Sequence, residues 1–194
     1  MQGFGAVGRH AARFLAAKGA RLVAASDSRG TVQDPNGLDV AALAALKAAG
    51  RSVLDYPRGE KRTCEAVLDA ACEIWIPAAR PDVIRVDNVG RLRTKLVAEG
   101  ANIPLTVEAE RTLHERGVLA LPDFIANAGG VICAAVEYHG GSEHAAREAI
   151  VEKIKANTRA MLDESRRART PPRAAAVALA ERRIGEAAAL RRWG

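Results

Sequence analysis

The sequence predicts an α/β protein: a doubly wound, mostly parallel sheet with a helical C-terminal extension and a first strand that is largely missing. Three observations predict it. Residues 3–8 read Gly-Phe-Gly-Ala-Val-Gly, a G-x-G-x-x-G turn. An Ala- and Leu-rich stretch follows, then a short apolar run that ends in an acid, Asp27, 19 residues past Gly8. Beyond it, strand-like runs alternate with helical ones through residue 125, and only helical patterns come after. In a Rossmann-type fold such a turn joins the first parallel strand to the first helix. The first Gly permits the tight turn, the second lets the backbone approach a pyrophosphate, and the third lets helix and strand pack closely. The helix N-terminus then presents unpaired N–H groups and a partial positive charge. Only Met1-Gln2 precede the turn, so the expectation is that Met1 is an internal or misassigned start, or that the gene is a fragment.

Each element has a local cause. Val7 to Lys18 reads as a helix closed by Gly19 at the position that favours a left-handed backbone. Arg21 to Ser26 reads as a buried strand. The polar stretch after Asp27, with Gly30, Pro35 and Gly37, predicts a loop. Asp39 is placed to cap a helix over Val40 to Ala49, stopped by Gly50. Residues 51–63 mix charges with Pro57 and Gly59 and read as surface. Glu65 to Ala71 reads as a short helix, Glu73 to Pro77 as a strand, Asp87 to Leu92 as a helical piece and Lys95 to Ala98 as a strand. Thr106 caps a helix to Arg116, with Glu108 and Glu110 at its positive end, and Val118 to Leu121 forms a strand. Asn127 to Tyr138 opens with Asn-Ala-Gly-Gly and continues as a mostly apolar helix. Ser142 caps a long helix to about Arg169, in which Ala146, Ala149, Ile150, Ile154 and Met161 fall near helical spacing. Thr170-Pro171-Pro172 starts a last helix, which runs to Arg192. The expected organisation is a nucleotide-binding domain over 1–141, extended by helices over 142–194.

Composition excludes several classes. A chain of 194 residues is long enough for one well-formed core. A hydrophobic content of 48% with a mean hydropathy of −0.08 points to a soluble, globular chain. No apolar run is long enough for a bilayer, and the start lacks a signal peptide's charged and apolar regions. A membrane partner is therefore not expected, and the cytoplasm is the expected location. Cys64, Cys72 and Cys133 form no C-x-x-C pattern and read as buried, reduced thiols; no metal site is expected. The net charge of +6 is uneven: residues 1–146 hold 17 basic and 17 acidic side chains, residues 147–194 hold 12 and 6. Arg supplies 23 of the 29 basic residues, and Trp193 is the only aromatic after Tyr138. The basic end thus reads as compositional, and nucleic acid is not an expected partner.

Four blocks, in order across nearly the whole chain, resemble the C-terminal nucleotide-binding domain of the glutamate/leucine/phenylalanine/valine dehydrogenases. They are Gly3-Phe4-Gly5-Ala6-Val7-Gly8; Ser26-Asp27-Ser28-Arg29-Gly30 with Asp34-Pro35-Asn36-Gly37-Leu38; Val97-Ala98-Glu99-Gly100-Ala101-Asn102; and Pro122-Asp123-Phe124-Ile125-Ala126-Asn127-Ala128-Gly129-Gly130-Val131. Pro77-Ala78-Ala79 and Asn88 fit as well. The resemblance implies the cofactor half of a reversible oxidative deamination. Hydride passes from the Cα of an L-amino acid to C4 of a nicotinamide, and water opens the imine to a 2-oxo acid and ammonia. It implies a cofactor site at Gly3, Phe4, Gly5, Ala6, Val7 and Gly8, with the pyrophosphate over the amides of Gly5 to Val7. It places Asp27 and Ser28 at the adenosine ribose, and the backbone of Ala78 and Ala79 along the cofactor groove. Asn102 and Asn127 fall near the nicotinamide ribose and carboxamide. Read as residues alone, Asn102 is also a turn residue and Asn127 also a helix N-cap. NAD is the expected cofactor, because Asp27 would bond a free 2′-hydroxyl and repel a 2′-phosphate; Arg29 keeps NADP as the alternative.

Several positions depart from the family pattern. Ala6 stands where many members have Asn, Arg80 where the residue is usually small or apolar, and Leu105 and Val107 where polar and Pro residues are usual. Ala134 is the substrate-proximal position at which glutamate-specific members carry a Ser. Alanine offers no hydroxyl for a distal carboxylate, so a hydrophobic amino acid is as good a candidate substrate as glutamate. The family's catalytic lysine and aspartate lie in an N-terminal domain outside the resemblance. His10, His114, His139 and His144 are scattered over predicted helices at positions that read as exposed. No catalytic residue is therefore expected in this chain, which by itself should not turn over amino acids. The expected partners are a nicotinamide dinucleotide, a catalytic domain in cis or in trans, and a second copy of the chain in a homo-oligomer. The competing reading is a non-catalytic nucleotide-binding or regulatory module, or a degenerate gene fragment.

Overall fold

The computed structural model describes residues 1–190 and divides into two compact units, Met1–Leu119 and Ala120–Gly194. The expected boundary at 141/142 falls inside the second unit. Arg191, Arg192 and Trp193 lie outside the described residues. No helix among the described residues is long and apolar enough to cross a membrane.

The first unit carries the sheet. Its elements are α1 (Ala6–Ala16), β1 (Ala24–Ser26), β2 (Thr31–Gln33), α2 (Val40–Ala48), β3 (Glu60–Arg62), β4 (Ile74–Trp75), β5 (Leu96–Ala98), α3 (Val107–Glu115) and the start of β6 (Leu119–Leu121). β4 and β5 pair in parallel, Trp75 opposite Val97, and the Leu119 N–H brings in β6 by donating to the Lys95 carbonyl. Gln2 alone stands for the first strand: it bridges in parallel to Ser26 on one side and to Pro77 on the other. The unit is thus the expected α/β fold, with parallel pairing on either side of Gln2.

Beyond β1 the sheet departs from expectation. The loop predicted after Asp27 contains β2, which pairs antiparallel with β1, Ala25 opposite Val32. β2 pairs antiparallel in turn with β3, Val32 opposite Lys61. Residues 51–63, read as surface, supply buried Ser52, Val53 and Tyr56 as well as β3. The short helix expected at 65–71 is a 3-10 turn over Cys64–Asp69, and Val53–Asp55 and Val89–Arg91 form two more. Cys64 is exposed, and Cys72 and Cys133 are half-buried, so none of the three is the buried thiol expected.

Packing explains the order. Phe4, Ala25, Val32, Leu43, Val53 and Tyr56 form one buried cluster, on which α1 and α2 lay Ala12, Leu15 and Leu46. Complete burial of side chains of this size contributes about 1.5–3 kcal/mol each. The caps form as the residue types require. Asp39 accepts from the Ala42 N–H at 3.0 Å and Thr106 from the Ala109 N–H at 3.3 Å.

The second unit is helical beyond β6: α4 (Asp123–Ala126), α5 (Gly129–Tyr138), α6 (Glu143–Ala168) and α7 (Pro172–Leu190). Ser142 caps α6 by accepting from the Ala145 N–H at 3.2 Å. Met161, Ala175 and Ala176 are its buried centre, with Leu121, Ile125, Leu162 and Leu179 against them. The sequence offers Asn127 as a cap for α5, but that cap is Ala128; Asn127 instead closes α4, a helix the sequence does not predict.

Candidate functional site

The glycine turn leaves the sheet where the strand order reverses. Because Gln2 pairs with Ser26 on one side and Pro77 on the other, the chain diverges there at the carboxyl ends of the strands. Ligands of open α/β sheets bind in the crevice at such a point. Gly3 has φ of 86° and donates to Ser26 Oγ at 3.3 Å; the Phe4 N–H donates to the Ser26 carbonyl at 2.8 Å. A Cβ on Gly3 would lie 2.6 Å from the Ala79 Cβ, and one on Gly8 would lie 2.0 Å from the Gly3 carbonyl oxygen. Backbone packing therefore demands glycine at both ends of the turn.

Gly5 differs from both. Beyond its chain neighbours, nothing lies within 4 Å of the place a Cβ would take, and Gly5, Ala6 and Val7 are all exposed. Gly5 is also the N-cap of α1 and brings no side chain to accept from the first-turn amides. The result is an uncovered stretch of backbone at a helix N-terminus, where N–H groups lack intrahelical acceptors and the peptide dipoles add positive potential. These residues fit a pyrophosphate. Phe4 is different from its neighbours: its side chain is fully buried in the core and anchors the turn from below.

Two further segments of the first unit converge on the turn. The Ala78 N–H donates to the Gln2 carbonyl at 2.7 Å, and the Gly100 and Ala101 N–H groups both donate to the Pro77 carbonyl, at 2.9 and 2.8 Å. A Cβ on Gly100 would lie 3.5 Å from Val7 Cγ1. Residues 77–79 and 100–102 thus flank the turn, and Asn102 is exposed beside it. Ile103 follows with φ of 47°, facing Asp82 with φ of 49°, whose N–H donates to the Ile103 carbonyl at 2.9 Å. A β-branched residue in this region is a genuine outlier, and such strain clusters at ligand sites.

Asp27 lies at the end of β1, where the sequence places an acid, but its carboxylate is already engaged. Oδ2 accepts from Lys47 Nζ at 2.8 Å and from the Val53 N–H at 3.0 Å. Oδ1 accepts from the Arg29 N–H at 3.0 Å and from Ser52 Oγ at 3.1 Å. Burial by itself would raise the pKa; the Lys47 ammonium, the two backbone N–H groups and the Ser52 hydroxyl outweigh it and hold the carboxyl at about 2. Sequence reasoning did not single out Lys47, Ser52 or Val53. A local signal existed: Ser52-Val53-Leu54-Asp55 has capping-box spacing, and both of its reciprocal bonds form. Ser28 is exposed, and its carbonyl accepts from Cys64 Sγ at 3.4 Å.

In the second unit, Asn127 donates its N–H to the Asp123 carbonyl at 2.7 Å, and Ala134 is exposed on α5. All four histidines are exposed. Among the described residues no group of three His, Cys, Asp or Glu side chains is arranged to hold a metal ion.

Comparison with known proteins agrees with the α/β fold. The family model described as glutamate/leucine/phenylalanine/valine dehydrogenase matches residues 1–192. The chain is 41% identical to the NADP-specific glutamate dehydrogenase of Saccharolobus shibatae, over 79% of this chain and 38% of the relative. It is 35% identical to the NAD-specific glutamate dehydrogenase of Staphylococcus aureus, over 100% of this chain and 48% of the relative. Among solved structures, the hetero-hexameric glutamate dehydrogenase of Thermus thermophilus in its Leu-bound form superposes with a TM-score of 0.85 at 30% identity, over 100% of this chain and 47% of that one. The chain therefore spans half or less of the length of these relatives.

Proposed function

The chain belongs to the glutamate/leucine/phenylalanine/valine dehydrogenase family, and from that membership we propose that it is the cofactor-binding part of a nicotinamide-dinucleotide-dependent L-amino-acid dehydrogenase. One observation carries the reading: the uncovered backbone of Gly5 to Val7, at the N-terminus of α1 and at the reversal point of the sheet. In this reading the amides of Gly5 to Val7 hold the pyrophosphate. The backbone of Ala78 and Ala79 lines the groove, Asp27 and Ser28 lie at the adenosine ribose, and Asn102 orients the nicotinamide end; Asn127, in the second unit, is a cofactor-binding candidate on the family resemblance. An amide side chain suits that task, because it donates and accepts at once.

When bound, the cofactor supplies the hydride acceptor. This chain's residues bind and orient it; groups that polarise the substrate and move its protons come from a second domain, in cis or in trans. NAD is favoured, because Asp27 stays ionised at neutral pH and repels a 2′-phosphate. Ala134 leaves the substrate's far end without a hydroxyl, which suits a hydrophobic amino acid as well as glutamate. A homo-oligomer in the cytoplasm belongs to the same reading.

Titration of the full chain with NADH and with NADPH, followed by nicotinamide fluorescence and thermal melting, tests the reading. Saturable binding of NADH ahead of NADPH is expected. At a ligand concentration of about 100 times Kd, the added stability should be about 2.7 kcal/mol. A cooperative melt that neither nucleotide shifts would overturn the proposal.

A further inference from the structure

We propose that Arg9 sets the affinity of the glycine turn for the pyrophosphate: its guanidinium, anchored on the Gly5 carbonyl, adds positive charge to the turn and strengthens the amide at the other end of the same peptide. This rests on the reading of the Gly5 to Val7 amides as the pyrophosphate site, and every residue involved lies in the first unit. The Gly5 carbonyl accepts twice from Arg9, from its backbone N–H at 3.0 Å and from its side-chain Nε at 3.3 Å. The second bond folds the side chain back along the first turn of α1, so the charge stays within one turn of the exposed amides. Among the described residues nothing accepts from Arg9 Nη1 or Nη2, and no acid pairs with the guanidinium.

On stability grounds this is the wrong place for a cation. The N-terminal end of a helix carries partial positive charge, which acids relieve and bases aggravate. The first turn of α1 holds no acid, and its N-cap, Gly5, has no side chain to accept from the amides. α3 is built the other way: Thr106 caps it, and Glu108 and Glu110 stand in its first turn. Arg9 therefore adds charge where the backbone is already positive. In the empty chain this is unfavourable; with a dianion on the turn it becomes a charge-assisted attraction. The peptide between Gly5 and Ala6 extends the effect. It is trans and planar, so its C=O and N–H point opposite ways. A charged donor on the oxygen polarises the peptide and makes the Ala6 N–H a stronger donor, as in other chains of hydrogen bonds. Both effects fall on the pyrophosphate, which NADH, NADPH and ADP-ribose share.

Thermal melting without ligand and fluorescence titration with NADH and NADPH, on the full chain, test both signs of the effect; ADP-ribose is read by its displacement of NADH. Arg9→Gln keeps a long, helix-compatible side chain without the charge. Unliganded, it should be as stable as the parent or melt up to about 3 °C higher. Its affinity for all three ligands should fall about tenfold, equivalent to about 1.4 kcal/mol. Arg9→Glu should melt higher still and bind about a hundredfold more weakly. Arg9→Lys keeps the charge but not the planar fork, and should lose only about threefold. Rising salt should narrow the gap between parent and Arg9→Gln, because the screening length falls from about 10 Å at 0.1 M to about 3 Å at 1 M. Unchanged affinity in Arg9→Gln, a joint fall of stability and affinity, or a loss confined to NADPH, which would move the contact to the 2′-phosphate, would each overturn the proposal. Failure of the unsubstituted chain to bind either NADH or ADP-ribose would sink the nucleotide-site reading itself, and it would be seen before any substitution is made.

Discussion

Replacing Asp27 by asparagine removes a charge that four donors hold in place. The Asp27 pKa falls from 3.8 to about 2 in the folded chain, against the pull of burial, because Lys47, Val53, Arg29 and Ser52 all donate to it. Each pKa unit is worth about 1.36 kcal/mol, so the ionised form contributes about 2 kcal/mol. Little of this is lost to screening, since the side chain is only 8% exposed. The folded pKa lies below the unfolded one. The contribution is therefore complete above about pH 4 and disappears as pH falls toward about 2. The introduced amide would also turn its NH2 toward the Lys47 ammonium or the Val53 N–H, leaving donor against donor at a cost of about 1–3 kcal/mol. We expect Asp27→Asn to be about 2–4 kcal/mol less stable at pH 7, a fall in melting midpoint of about 5–15 °C. Urea unfolding followed by the emission of Trp75, which is buried in the first unit, reads the difference, with Trp193 replaced by Phe to remove the second indole. The gap between the two proteins should narrow below pH 4. A variant as stable as the parent at pH 7, or a gap that does not change with pH, would refute the reasoning.

Three further outcomes are expected. Gly8→Ala drives a Cβ to 2.0 Å from the Gly3 carbonyl oxygen, with backbone on both sides; it should cost about 3 kcal/mol and abolish NADH binding, read by melting with and without ligand. Ile103→Gly should raise the melting midpoint by about 2 °C, because relief of a left-handed β-branched residue, about 1–2 kcal/mol, exceeds the backbone entropy that Gly adds. Ile103 is 61% exposed, so little burial is lost, and a lower midpoint would show that the residue is not strained. Ser142→Ala should cost about 1 kcal/mol and speed amide exchange in the first turn of α6 only.

What was legible in the sequence was what depends on near neighbours. Asp39, Thr106 and Ser142 cap their helices as read, because a cap is settled within four residues. The glycine turn was legible because its demands fall on the backbone: a left-handed Gly3 and a tight Gly8. β2 and β3 were not legible. Each has three residues, too few to show alternation, and their pairing joins positions about 30 apart. The polar run at 51–63 hid Val53 and Tyr56 because charge on neighbouring residues says nothing about an inward-facing one. The Tyr56 hydroxyl accepts from the Asp39 N–H at 3.0 Å, a bond that no local pattern announces. α4 was missed for the same reason as β2: four residues held by contacts made 50 positions away leave no periodic trace.

Asp27 shows why a position in a motif does not by itself assign a ligand. A carboxylate has about four acceptor sites, and here four donors fill them. A ribose hydroxyl that bonds Asp27 must displace one. The Val53 and Arg29 amides are fixed by backbone; the Lys47 ammonium, on a flexible stem and 23% exposed, returns to water at least cost. On the proposed reading, Lys47 competes with the ribose for the same oxygen, and stability and affinity pull in opposite directions at that residue. Lys47→Met keeps the stem and removes the competitor. It should lower the stability of the unliganded chain, because Asp27 loses its counter-charge, and it should tighten NADH binding, because the ribose meets an oxygen that keeps only the Val53 N–H. Chemical denaturation and NADH titration on one preparation measure both signs. If stability and affinity fall together, Lys47 is itself a cofactor ligand, and the account of Asp27 as a carboxylate shared between fold and ribose is wrong.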